Sequence, residues 1–227
     1  MIDSPFKIFE PFNDRLDIRF FDKTDNVRTD ADVAEKIGSD SIASLHQAHA
    51  DRSIIVANPM SRLEKADALA TDAKNLWLTI RAADCQQLIV YAPEKNAVAL
   101  IHAGWKGLNA GIIPSLFKLL KDEWNIDASE TFVGIGPSLC LKCAEFTDPI
   151  IELEGLDPKF FHGRNADLQA IADDQLDKAG VPKSQQERME GCTKCSSDIF
   201  WSYRGGDREK VIQGYTDVLT CKLAASS

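Results

Sequence analysis

Histidine is scarce in this chain, with four in 227 residues. Multicopper oxidation needs a histidine-rich cluster besides a blue-copper site of two His and one Cys. The set His46, His49, His102 and His162 is too small to furnish it. Long apolar runs are missing too, none nearing the roughly 20 residues of a membrane helix. The opening MIDSPFKIFE lacks the basic start and apolar stretch of a secretory signal, so the expected location is cytoplasmic, with no membrane partner. No Walker A or dinucleotide glycine fingerprint occurs, since GIGPSL is too short and wrongly followed for either, and nucleotide-dependent phosphoryl transfer goes unsupported. Positive charge is in deficit: 26 Lys and Arg against 35 Asp and Glu give a net charge of −9. That balance argues against nucleic acid as a partner, and a small anionic substrate would need a local basic patch. Repeats, low-complexity tracts and interdomain linkers are absent, and the length suits one domain spanning 1–227 around a sizeable core.

The six cysteines are even in number, but the chain is too long and too apolar for a small disulfide-stapled scaffold. Mostly reduced thiols are expected. Two C-x-x-C pairs, Cys140/Cys143 and Cys192/Cys195, lie further apart than the pairs of a zinc ribbon. A second metal or a disulfide between the loops is one reading, and unrelated buried thiols are the favoured one. Neither pair opens a helix after a strand, which weakens a thioredoxin-like role.

Three residues carry the chemistry: His49 in HQAHAD, Cys85 in RAADC and His102 in IHAGWKG. Imidazole and thiolate both bind zinc, and a site with only three protein ligands keeps a position for water or substrate. Their wide spacing rules out a finger or ribbon, so they must converge from different strands. Taken singly, each also reads as an ordinary residue, a small core thiol or a satisfied histidine. Context separates the readings. His102 ends the strand-like AVALIHAG before a Gly-Trp-Lys-Gly turn, whose glycines allow positive φ or close backbone approach. Cys85 interrupts two apolar runs, where a strand end presents a side chain on a rigid frame.

These motifs, QAHAD (47–51), AADCQQ (82–87), HAGWKG (102–107), GIGPSL (134–139), GCTKC (191–195) and FWSYRG (200–205), resemble the purine nucleoside phosphorylases with a misnamed laccase domain. That family also includes peptidoglycan editing factors. The resemblance spans most of the chain and implies His49, Cys85 and His102 as zinc ligands, with copper only as an adventitious occupant. It implies an enzyme, transferase or hydrolase, that cleaves adenosine, inosine or methylthioadenosine with phosphate, with or without adenosine deamination. The editing-factor branch implies an alternative, an amidase that removes a wrongly added amino acid from a nucleotide-linked peptidoglycan precursor. There Cys85 is nucleophile or ligand, and His49 or His102 the base. Departures from the family pattern include a short N-terminal portion, Lys106 in place of the usual Arg, and Cys140 and Cys143 after GIGPSL.

The expected catalytic set is Cys85, His49, His102 and Asp84, with Asp84 or Glu145 as acid/base. Lys106, Arg52 and Arg204 are candidates for phosphate. Trp105 and Tyr203 are candidates for stacking on a purine, and each of these also reads as a surface charge or core aromatic.

Strand-like runs fall near 16–21, 42–49, 53–57, 76–81, 87–92, 97–102, 131–135 and 210–215. Helical periodicity marks 111–124, where Ile112, Leu116, Leu119, Leu120 and Trp124 share a face. Asp167 is expected to cap a helix that ends at Gly180, and shorter helices fit 31–37, 62–72 and 216–224. Without regular βαβ alternation this predicts an α+β fold, a single-domain α/β sandwich of mixed sheets with flanking helices.

Overall fold

The computed structural model describes residues 1–225. In chain order the elements are β1 (Ile2–Asp3), β2 (Leu16–Phe21), α1 (Asp30–Ile37), β3 (Ile42–His46), β4 (Ser53–Ile55), β5 (Met60–Lys65), β6 (Ala68–Thr71), β7 (Trp77–Ala82), β8 (Gln86–Ala92) and β9 (Ala97–Ala103). They continue with α2 (Trp105–Ala110), α3 (Ile112–Trp124), β10 (Phe132–Ile135), α4 (Pro149–Glu152), β11 (Phe161–His162), β12 (Asn165–Ala166), α5 (Leu168–Ala179), β13 (Gln186–Arg188), α6 (Arg208–Ile212) and β14 (Asp217–Leu223).

Two six-stranded mixed sheets stack face to face, in the orders β1-β2-β14-β7-β3-β5 and β13-β10-β8-β9-β6-β4. The sequence alternation explains the layering. Along β8, Ile89 and Tyr91 pack with Leu78, Ile80 and Leu219 of the first sheet, while Leu88 and Val90 pack under Leu116, Leu120 and Ile171 of α3 and α5. Along β9 the same period puts Val98 and Leu100 between the sheets and Ala99 and Ile101 under the helices. Helix α1 covers the outer face of the first sheet, where Val33 meets Trp77 and Val218. The result is the expected sandwich of mixed sheets with flanking helices.

Helices α1, α3 and α5 fall where the sequence predicts. Thr29 caps α1 in a capping box, and Asp167 accepts from the Ala170 N–H while Gly180 takes the left-handed position after α5. Three expectations fail. The 62–72 segment forms β5 and β6: β5 is an exposed edge strand whose Leu, Glu and Lys are good helix formers, and pairing with β3 overrides their preference. The 216–224 segment is β14, held between β2 and β7. It is buried on both faces, so no polar alternation betrays it. The supposed strand 210–215 instead begins in α6, and Gly214, at φ 104, turns the chain toward β14.

Candidate metal centre

His49, Cys85 and His102 converge where the chain passes from one sheet to the other. His49 follows β3 in the first sheet, Cys85 lies in the link from β7 to β8, and His102 is near the end of β9 in the second. Continuing the β9 alternation from Val98 and Leu100 aims His102 between the sheets. The nearest ligand atoms of the three lie within 4.8 Å of one another. The two imidazole rings stand edge to face at 4.7 Å between centroids. A donor set of two imidazoles and one thiolate fits zinc.

Each ligand is held by a local device. Gln47 exchanges two hydrogen bonds with the Arg81 backbone, its amide donating to the carbonyl at 2.6 Å and accepting from the N–H at 2.9 Å. This ties the HQAH segment to β7. His49 then takes φ 58, in the left-handed region that few non-glycine residues occupy. That conformation is fixed by Asp67, whose carboxylate accepts from the N–H groups of Ala48, His49 and Ala50. The same carboxylate meets His102 Nδ1 at 2.8 Å. Holding the proton at Nδ1 leaves the His102 Nε2 lone pair for a metal, the usual carboxylate–histidine arrangement.

Asp67 is fully buried. Burial opposes its charge, yet the bonds from His102 and from the backbone N–H groups of Ala50 and His49 hold its carboxyl below the ordinary range. Sequence reasoning missed Asp67, which stands in an unremarkable KADAL segment. Its one signal is register: His102 N–H donates to the Asp67 carbonyl, and the next residue, Ala68, pairs with Ile101.

Without metal, burial opposes a charged thiol, but the imidazoles of His102 and His49 outweigh it and lower Cys85 to about 6. Burial likewise opposes an imidazolium at His102, and Cys85 and Asp67 raise it to about 9. The site thus favours a thiolate.

Gly104 is needed for close approach, not for positive φ. A Cβ there would stand 2.8 Å from Cys85 Sγ and 3.0 Å from His49 Cδ2, at an ordinary φ of −74. Gly104→Ala is expected to push these ligands apart at about 1–3 kcal/mol of overpacking strain, and to weaken metal binding about tenfold or more. A competitive chelator titration checks this; unchanged affinity would contradict the packing argument.

A cavity of about 520 Å³ opens over the three ligands, within the range of small-molecule sites. Trp105, Tyr203 and Arg204 line it, as sequence reasoning expects, and so do Arg81, Leu139 and Leu168, which it did not single out. Arg81 is 5% exposed and pairs with Asp30 at 3.2 Å, yet its Nη2 lacks a well-aligned hydrogen-bond acceptor.

Other candidates lie elsewhere. Arg52 pairs with Glu64 at 3.0 Å and with the Lys65 carbonyl, outside the cavity lining. Lys106 is exposed and lies over its neighbour's indole at 5.3 Å, also outside the lining. Glu145 is exposed and pairs with Arg164. Asp84 does line the cavity, but its carboxylate accepts from Thr193 Oγ1, Ser202 Oγ and the Arg204 N–H. These contacts fit a positioning group better than a proton carrier.

A family model described as multi-copper polyphenol oxidoreductase laccase matches residues 8–215. The chain belongs to this family. A purine nucleoside phosphorylase of Clostridium acetobutylicum is 30% identical over 193 residues, which are 79% of this chain and 76% of that protein. An adenosine deaminase from an unknown prokaryotic organism is 25% identical over 166 residues, covering 67% of this chain and 62% of its own. The crystal structure of YlmD from Geobacillus stearothermophilus superposes with a TM-score of 0.74 at 25% identity, covering 85% of this chain and 78% of that one. Among the described residues no helix is long and apolar enough to cross a membrane.

Proposed function

We propose that the protein is a zinc-dependent purine nucleoside phosphorylase of the cytoplasm, cleaving adenosine, inosine or methylthioadenosine with phosphate, with adenosine deamination as an accompanying activity. Its partners are then the nucleoside and phosphate, with no nucleic acid or membrane surface. The observation that carries this reading is the convergence of His49, Cys85 and His102 under a cavity walled by aromatic and cationic side chains. Relatives named purine nucleoside phosphorylase and adenosine deaminase support it.

The copper chemistry in the family's description does not suit this chain. His46 and His162 are exposed and away from the centre. Among the described residues, the clusters of three or more metal-binding side chains are this one and a set of four cysteines, with no second histidine cluster. Copper in the His49–Cys85–His102 site would be adventitious.

His49, Cys85 and His102 would hold the zinc, which would supply a Lewis acid and bring the ionisation of bound water near neutrality. Asp67 keeps the His102 proton at Nδ1 and the ring in line. Asp84 fastens the Thr193–Arg204 segment beside Cys85. Trp105 and Tyr203 present aromatic faces for a purine, and the apolar Leu139 and Leu168 displace water around it. Arg81 and Arg204 are the cations for phosphate: a phosphate oxygen attacks the ribose C1′, the glycosidic C–N bond breaks, and its electron pair leaves with the base, which takes up a proton. Arg81→Gln is expected to raise the KM for phosphate about 10- to 100-fold, the loss of a charge-assisted hydrogen bond. Metal content should not change. Steady-state kinetics at varied phosphate checks this, and an unaltered KM would remove Arg81 from the phosphate site.

The product assay uses zinc-loaded protein and adenosine, with and without phosphate, read by mass spectrometry. Adenine formed only with phosphate supports phosphorolysis, inosine supports deamination, and neither product would sink the nucleoside reading.

A second reading rests on Cys85 lying between two imidazoles, an arrangement that also suits a metal-free Cys–His nucleophile. That enzyme would be an amidase acting on an amino acid wrongly attached to a nucleotide-linked peptidoglycan precursor. Chelation separates the two: it should silence the zinc enzyme and leave the Cys–His amidase active.

A further inference from the structure

Far apart in sequence, the two C-x-x-C pairs meet in space. The sulfurs of Cys140, Cys143, Cys192 and Cys195 all lie within 4.8 Å of one another, with Cys143 and Cys195 at 3.5 Å. All four are free thiols. The favoured sequence expectation of unrelated thiols is therefore corrected. From this geometry we propose a second metal site, a structural zinc bound by Cys140, Cys143, Cys192 and Cys195, distinct from the centre under the cavity.

Four observations point to a metal. Tetrahedral zinc with Zn–S bonds near 2.3 Å sets its sulfurs about 3.8 Å apart, and these sulfurs lie within 4.8 Å of one another, one pair at 3.5 Å, close to that spacing. Each pair closes a tight turn: the Cys143 N–H donates to the Cys140 carbonyl at 2.9 Å, and the Ser196 N–H donates to the Cys192 carbonyl at 2.9 Å. The Cys140 N–H donates to Cys192 Sγ at 3.3 Å, the kind of bond that stabilises a thiolate. Finally, both pairs carry a lysine at the same place, Lys142 in CLKC and Lys194 in CTKC, so two positive charges accompany a tetrathiolate site of net negative charge. Four protein ligands leave no open position, which marks the site as structural, not catalytic.

The site's place in the fold gives it a task. The pairs belong to two loops with little regular structure, one following β10 and one preceding α6. Apart from the cysteines, these loops meet through the Thr193 N–H to the Ser138 carbonyl at 3.2 Å and through Arg204, whose guanidinium donates to the Glu145 carbonyl and lies over the Phe146 ring. The first loop brings Ser138 and Leu139 to the cavity, and the second brings Tyr203 and Arg204. The second also supplies Thr193 and Ser202, which hold Asp84 beside Cys85. Zinc would thus join the two halves of one cavity wall, adding a cross-link to the apolar contacts that Leu139, Ala144, Phe146 and Phe200 already make with the core.

Metal analysis of protein purified under reducing conditions with zinc tests the proposal independently of turnover. The wild type should hold two zinc ions per chain, Cys85→Ala one, and Cys195→Ser one. Cobalt substituted into Cys85→Ala should show intense thiolate-to-metal charge-transfer absorption and a tetrahedral ligand-field spectrum. If Cys195→Ser does not fold, the Cys85→Ala metal count and cobalt spectrum decide alone. A single zinc in the wild type that survives in Cys195→Ser but not in Cys85→Ala would overturn the proposal. So would a freshly isolated chain lighter by the hydrogens lost in disulfide formation and holding no second metal.

Discussion

Cys85→Ala is expected to lose turnover and one metal ion together, with kcat falling on the order of 10³-fold or more. Removing an outer hydrogen-bond partner of a metal ligand already costs about 10–100-fold in affinity or activity, and here one ligand of three disappears. The remaining imidazoles, both positioned by Asp67, supply only two protein donors, too few to hold zinc tightly. The fold itself should survive, since Cys85 is only half-buried and lies in the link between strands, outside the main core clusters. Circular dichroism and metal analysis on the same sample separate the two effects. Full activity in this variant would eliminate the metal-centre reading.

Asp67→Ala carries the second large effect, and it acts through two other groups. Its carboxylate is shared by His102 and three successive backbone N–H groups. Truncation leaves the buried His102 ring without its partner, breaks the bonds of the three N–H groups in the more exposed turn, and frees His49 from its left-handed conformation. A stability loss of about 3 kcal/mol is expected. Asp67→Asn separates the tasks. It keeps the volume and some acceptor capacity, so thermal stability should fall less, but its NH2 must oppose either the His102 proton or a backbone N–H. Metal affinity should still fall about 10–100-fold. Thermal melts alongside a chelator titration read both quantities, and wild-type affinity in both variants would show that Asp67 does not orient His102.

Much of the centre is legible without coordinates. His49, Cys85 and His102 stand out because histidine is rare and each sits beside a strand-like run. The helix over 112–124 is legible because its apolar spacing follows one face, and Asp167 and Gly180 mark the limits of α5 chemically. The segments that misled are those whose state depends on partners distant in sequence. β14 is a strand because β2 and β7 flank it, and β5 because β3 offers an edge. Local composition in β5 favours a helix and long-range pairing overrules it, while β14, buried on both faces, lacks the polar alternation that marks a strand.

Charged residues show the same division. Arg52, Lys106, Arg81 and Arg204 are equivalent as cations in a string of letters. In the folded chain the first two lie outside the cavity lining, paired or stacked elsewhere, and the last two are among the residues that line it. Asp84 and Asp67 likewise exchange their expected importance once their donors are known.

Residue identity and order carry the alternating pattern that builds a sandwich, the donor types for a metal, and a histidine count of four. These follow from residue identity and short-range period, which are local properties. The packing of the two sheets sets which carboxylate meets His102, which arginines line the cavity, and that four cysteines from two distant loops form one cluster. Each of these depends on groups whose separation along the chain says nothing of their separation in space, and which meet only after two sheets have stacked and fixed the loops between them.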